Sequence, residues 1–123
     1  MKELRPHVSY PDFISLYEKA HSTDGYDIVA VEVGTEVVAV MGYRVLHDYV
    51  HGTHLYIDDL VSTESHRSKG WGTMLLAHAE EVARVAGCSG LRLCTGVENE
   101  RGKMFYEKNG WIPRALAFKK KLG

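Results

Sequence analysis

Arg67-Ser68-Lys69-Gly70-Trp71-Gly72-Thr73 is the stretch on which the fold turns. Just upstream, residues 54–61 read His-Leu-Tyr-Ile-Asp-Asp-Leu-Val, a run with the branched and aromatic composition of a strand. Downstream, Trp71, Leu75, His78 or Ala79, Val82 and Ala86 recur at helical spacing, with Met74, Ala77 and Val85 widening the stripe, until Gly87 ends it. The quoted stretch is therefore a strand-to-helix turn. Consecutive backbone N–H groups point out of the first turn of such a helix, with the positive end of its dipole behind them. Glycine at two alternate positions lets a ligand approach the chain without a Cβ in the way, and Arg67 and Lys69 add positive charge at the rim. The expectation is an anion site of phosphate type, although a Gly-x-Gly alone also suits a plain helix start.

Working outward, residues 12–21 carry Phe13, Leu16, Tyr17 and Ala20 at three-and-four spacing and predict a short amphipathic helix after Pro11. Residues 26–33 and 36–45 are rich in Val and Ile and are joined by Gly34-Thr35, a tight hairpin. A polar connection over 46–53 leads into the strand at 54–61. Beyond the long helix, residues 91–95 read as a short buried strand and 98–109 as a second amphipathic helix through Met104, Phe105 and Lys108, closed by Gly110. Trp111-Ile112 and residues 115–122 predict one or two terminal strands. The sum is an antiparallel meander, then strand, helix, strand, helix, strand. That is an α/β (α+β) class with a mixed, mostly antiparallel central sheet flanked by helices.

The chain has 123 residues, enough for one buried core, so a single domain over 1–123 is expected. Fifteen Lys and Arg against sixteen Asp and Glu give a formal net charge of −1, which provides no overall basic field for nucleic acid. Apolar residues make up 45% and charged residues 25%, ordinary globular usage rather than disorder. Apolar-rich stretches such as 28–33, interrupted by Glu32, and 37–41 are far below the roughly 20 residues that cross a bilayer. The start, Met1-Lys2-Glu3-Leu4-Arg5-Pro6, lacks the apolar centre of a signal peptide, so a cytoplasmic location is expected. In a reducing compartment Cys88 and Cys94 are expected as buried thiols rather than a disulfide.

Two other chemistries are tested by spacing. Gly96, Gly102 and Lys103 resemble a triphosphate-binding loop, but five residues separate the glycines where four are required. Met104 also stands where a magnesium-binding hydroxyl is needed. His47, His51 and His54 gather around the 46–53 connection, yet their spacing matches no zinc signature, and no metal is expected. With Tyr49 and Tyr56, this loop reads instead as a wall of an acceptor pocket.

Taken as one string, Leu60-Val61-Ser62, Arg67-x-x-Gly70-x-Gly72, Leu75-Leu76, Leu91-x-Leu93, Asn99 and Phe105-Tyr106-Glu107-Lys108-Asn109-Gly110-Trp111 resembles the GNAT N-acetyltransferase superfamily in order and spacing. The resemblance covers 58–111 closely and the upstream hairpin and helix more loosely. It implies an acetyl-CoA enzyme acting on a primary amine through a ternary complex. The backbone of Leu60, Val61 and Ser62 would pair with the pantetheine arm, and amides from Ser68, Lys69, Gly70, Trp71, Gly72 and Thr73 would cradle the pyrophosphate beside Arg67. Asn99 would bond the cofactor arm, and Tyr106 would lie near the thioester sulfur. A non-catalytic acyl-CoA-binding or regulatory module is the alternative.

The chemistry asks for the same kinds of group. A lysine-like amine with pKa ~10.4 is neutral in only about one molecule in 10³ at pH 7, a cost of roughly 4 to 5 kcal/mol. A carboxylate of Asp58 or Asp59 would assist its deprotonation, with His54 as an alternative base. Strand alternation places only one of the two acids on the cleft side; the pair also suits a loop-capping role. The backbone N–H groups of a splayed strand would polarise the thioester carbonyl, and the Tyr106 phenol would return a proton to the leaving thiolate. Three departures from the family stand out. Gly102 replaces a small helix former, Ser62 replaces a β-branched residue, and the N-terminal region is short, so that an acceptor pocket left open or completed by another subunit is expected. An apolar terminal strand would also offer an edge to a second copy.

Overall fold

The computed structural model describes Glu18 and residues 21–62 and 70–123. The chain divides into two compact units, Met1–Leu93 and Cys94–Gly123. Among its described residues the first holds a four-stranded sheet in the order β1-β2-β3-β4, with β1 Asp27–Val33, β2 Glu36–Asp48, β3 Gly52–Ser62 and β4 Gly90–Leu93. The first three strands are antiparallel, and β4 lies parallel to β3. Helix α1, Trp71–Val85, connects β3 to β4. A parallel neighbour needs such a crossover, whereas β1, β2 and β3 need only hairpins.

Local chemistry explains each boundary. Gly34 at φ 64° supplies the left-handed position of the β1–β2 turn, as the Gly34-Thr35 pair predicts. Helix α1 ends in a Schellman motif, with Gly87 N–H donating to the Arg84 carbonyl (3.2 Å) and Cys88 N–H to that of Ala83 (2.9 Å). The core is where β2 and β3 meet α1: Val38, Met41, Leu55 and Ile57 from the sheet, Leu75, Leu76, Ala79 and Ala83 from the helix. The inward face of α1 thus takes Ala79 rather than His78, which is exposed, and Ala83 rather than Val82. The small alanines are buried against the sheet.

Of the helix predicted over 12–21, Glu18 and His21 are among the described residues and are helical, and the helical residues run on through 22–24; the rest of it lies outside the described residues. The terminal strands are not formed. Residues 111–123 take neither helix nor strand, and Leu116, Phe118 and Leu122 are 73%, 92% and 88% exposed. An apolar run suits a strand, but only a ladder partner makes one. Cys94 is exposed and Cys88 half-buried, both as free thiols, because Cys94 follows the last residue of β4 rather than sitting within it.

Candidate active site

β3 is longer than the neighbour it shares with the crossover. Its ladder with β4 runs from His54↔Gly90 to Ile57↔Leu93 and stops there, while its ladder with β2 continues through Met41↔Leu60, Val40↔Val61 and Ala39↔Ser62. Residues 58–62 are therefore fixed on one side by β2 and extend past β4 on the other. Alternate backbone N–H and C=O groups of that segment face the side where β4 has ended. Leu60, Val61 and Ser62 lie on this extension, and an extended ligand arm could add to it as a strand does.

Ser62 leads through 63–69 to the start of α1; Arg67, Ser68 and Lys69 lie outside the described residues. Gly70 is the N-cap, with φ 85° and ψ 6°, a left-handed conformation that glycine adopts without strain. It offers no side-chain cap, and no acidic residue stands in the first turn. The first intrahelical bond runs from Met74 N–H to the Gly70 carbonyl (3.0 Å), so the amides of Trp71, Gly72 and Thr73 precede any intrahelical partner. The indole Nε1–H of Trp71 is buried with no acceptor among the described residues. This helix end carries donors and positive dipole, and no residue of its own first turn neutralises them.

The acidic pair departs from simple alternation. The β2–β3 register runs Tyr43↔Ile57 and then Gly42↔Asp59, so Asp58 is the extra residue of a bulge. Both carboxylates consequently engage one cluster on β2 and the residue before β1. Arg44 donates to Asp58 through Nε (3.0 Å) and Nη2 (2.9 Å), a bidentate pair, and reaches Asp24 at 3.3 Å. The buried phenol of Tyr26 donates to Asp59 Oδ2 at 2.7 Å, and the Arg44 guanidinium lies 5.4 Å from its ring centroid. Burial, the hydrogen bond to Asp59 and the charges of Asp59 and Asp58 push the Tyr26 pKa far above the usual range of a phenol, against Arg44, so it stays a donor. Burial also raises the Asp58 carboxyl, and this outweighs the pull of Arg44; for Arg44, pairing with Asp58 and Asp24 outweighs burial and holds the cation.

Gly42 makes the cluster possible. A Cβ there would overlap the hydroxyl and Cζ of Tyr26, so the ring lies directly on bare backbone. Tyr26, Gly42 and Arg44 were not among the residues expected at the site. A glycine inside a Val-rich strand marks close approach of another group. Arg44 lies opposite Tyr56 and diagonal to Asp58, a relation that follows once the hairpin is registered on its 49–51 turn.

His54 is not brought to this cluster. It stands four residues before Asp58, roughly 13 Å along the strand. It is 2% exposed, its Nδ1 is held by the Gly52 carbonyl at 3.1 Å, and its Nε2 accepts from Arg92 at 3.4 Å. Both ring nitrogens of His54 are thus engaged, and the residue stands apart from the two acids. His47 bonds Thr53 Oγ1 (2.9 Å), and Tyr49 is fully exposed at the turn.

In the second unit, helix α2, Glu100–Lys108, begins at Asn99, whose Oδ1 accepts from Gly102 N–H (2.9 Å) and whose Nδ2 donates to Thr95 (2.9 Å). A Cβ on Gly102 would overlap this amide, so the glycine makes room for the cap. The Tyr106 to Trp111 segment is a second Schellman motif: Gly110 N–H donates to the Glu107 carbonyl (3.1 Å) and Trp111 N–H to that of Tyr106 (2.9 Å), with Gly110 at φ 88°. Its hydrophobic contact is the edge-on pair of Tyr106 with Trp111, centroids 6.1 Å apart, and Phe105 lies edge-on to Tyr106 at 5.3 Å. Burial raises the Tyr106 phenol, which is therefore protonated at neutral pH.

Comparison with known proteins follows the same lines. The profile of the acetyltransferase (GNAT) family matches residues 2–111. A Bacillus subtilis (strain 168) protein described as the uncharacterized N-acetyltransferase YhdJ is 32% identical over 121 residues, covering 98% of this chain and 85% of its own. Among solved structures, AAC(6')-Iy in complex with the bisubstrate analogue CoA-S-monomethyl-acetylneamine superposes with a TM-score of 0.83 at 18% identity, over 98% of this chain and 86% of its own. Glucosamine-6-phosphate N-acetyltransferase from Arabidopsis thaliana gives 0.73 at 24% identity, over 94% and 80%. At these identities the two structures speak for the fold.

Proposed function

The chain belongs to the acetyltransferase (GNAT) family and is an acetyl-CoA-dependent acetyltransferase, and from that premise we propose that it transfers the acetyl group directly to a primary amine of a small molecule, peptide or protein in a ternary complex. The observation that carries this reading is the extension of β3 past β4, followed in the chain by a helix whose first turn carries no acid and no side-chain cap. Leu60, Val61 and Ser62 would pair with the pantetheine arm. The amides of Gly70, Trp71, Gly72 and Thr73 would bind the pyrophosphate, joined by Ser68, Lys69 and Arg67. Asn99 would bond the arm with the remaining capacity of its amide. On this reading residues 1–123 serve as a single acetyltransferase domain.

In the reaction the amine nitrogen bonds the acetyl carbon, the carbon–sulfur bond breaks, the amine gives up a proton and the thiolate takes one. Asp59 is the carboxylate assigned to the amine. Arg44 engages both oxygens of Asp58 in a bidentate pair that accepting a proton would disrupt, although burial raises that carboxyl, and the Tyr26 hydroxyl donates to Asp59 Oδ2 and orients it. A backbone N–H of the β3 extension would face the developing oxyanion of the acetyl carbonyl. From the second unit Tyr106, kept protonated by burial, would return the proton to the thiolate.

Thiol release from acetyl-CoA across a panel of primary amines tests the proposal. Turnover with at least one amine is expected, together with a large loss in Asp59→Asn and a smaller loss in Asp58→Asn. Equal losses would reject the assignment of Asp59, and tight CoA binding without acetylation of any amine would reject the transfer reading.

A further inference from the structure

At the opposite end of β3 from the proposed acetyl-CoA site, the hairpin turn after β2 gathers three metal-ligating side chains. Asp48, His51 and His54 each offer one ligand atom, all within 4.8 Å of one another. His51 Nδ1 lies 3.3 and 3.4 Å from the two oxygens of Asp48, and His54 Nε2 lies 3.9 Å from Asp48 Oδ2. Four-coordinate Zn²⁺ with bonds near 2.1 Å spaces its ligands about 3.4 Å apart, so small side-chain shifts close this triangle on one ion.

Second contacts favour a cation here. His54 Nδ1 lies 3.1 Å from the Gly52 carbonyl, and a bond to a carbonyl makes Nδ1 the donor. In the neutral ring Nε2 then has a lone pair, and it lies 3.9 Å from a carboxylate oxygen of Asp48. A backbone carbonyl behind the distal ring nitrogen is the arrangement that orients metal-bound histidines. The Arg92 Nε–H donates to Nε2 at 3.4 Å, a long hydrogen bond that a metal would have to replace. The turn is already held in shape, by His51 N–H donating to Asp48 Oδ1 (2.6 Å) and by Ser89 Oγ donating to the His51 carbonyl (3.0 Å). Asp48 and His51 are exposed while His54 is buried, so an ion enters from the solvent side and is anchored from below.

We propose that Asp48, His51 and His54 form a binding site for a divalent transition-metal ion of the Zn²⁺ type, fastening the β2–β3 turn to the first residues of β3. The spacing of the histidines alone did not disclose it, because His47 turns away to Thr53 and the third ligand is an aspartate. The proposal is independent of the acetyltransferase reading.

The test uses the full chain, Zn²⁺ calorimetry, and Co²⁺ absorption as a spectroscopic stand-in. Wild type is expected to bind one equivalent that His51→Ala and Asp48→Asn weaken by about tenfold or more, while His47→Ala and His78→Ala leave it unchanged. Zn²⁺ should raise Tm in wild type and not in His51→Ala. The deciding variants change exposed residues, so loss of the buried His54 need not be tested. Wild-type affinity in both His51→Ala and Asp48→Asn, or no saturable binding by wild type at micromolar Zn²⁺, would overturn the proposal.

Discussion

Replacing Gly42 by alanine probes the Tyr26 cluster from a position that makes no side-chain contact of its own. The added Cβ would overlap the hydroxyl, Cζ and Cε1 of Tyr26, so the ring must leave its seat. Leaving it breaks the 2.7 Å bond to Asp59, a charge-assisted bond for which about 1.5–3 kcal/mol is typical. It also ends the contact with Arg44, for which about 0.5–1 kcal/mol is typical. A loss of about 2–4 kcal/mol is therefore expected in urea unfolding, with the same slope m as wild type. The decisive form is a double-mutant cycle. Tyr26→Ala removes the obstruction, so Gly42→Ala in that background should cost less than about 1 kcal/mol. Additive costs would show that Gly42 acts through something other than its approach to Tyr26, and the account of the cluster would fail.

Three further outcomes follow. Tyr106→Phe should retain CoA binding but lose about 10²-fold or more in kcat; an unchanged kcat would remove the phenol from the proposed proton path. Leu75→Ala, in the α1 face against the sheet, should destabilise by about 2–5 kcal/mol in urea unfolding. The Asp48 carboxyl is held below its ordinary value of 3.8, first by the backbone N–H of His51. Its contribution to stability is fully present above that value and is lost as pH falls through the lowered one. The Tm gap between wild type and Asp48→Asn, measured with chelator present, should be constant near neutrality and close in acid. A gap that widened in acid would reverse the sign and contradict the assignment.

Much of this architecture can be read from local chemistry. Gly34-Thr35 marks a hairpin, and Phe-Tyr-Glu-Lys-Asn-Gly-Trp encodes a helix end whose glycine turns left-handed so that Trp111 can pack back on Tyr106. Gly70 and its helix lie where the Arg-x-x-Gly-x-Gly pattern puts them. What alternation misses is the bulge at Asp58: one extra residue breaks the period of two, and both acids meet the same cluster. Tyr26 and Arg44 join that cluster through pairing across strands, a long-range property absent from any short window. That His54, at the start of β3 and bonded to Gly52 and Arg92, stands apart from the acids follows from the register of the strand and not from residue type. Residues 115–122, expected as a strand, form none, since a ladder partner is not encoded in the segment itself.

Amide hydrogen exchange with and without CoA tests the central claim most directly, because it reads the backbone groups to which the account assigns the cofactor. Slower exchange on binding is predicted for amides within residues 60–62 and 70–73, with smaller changes along β1. Binding of CoA with protection elsewhere and none in these two segments would contradict the claim.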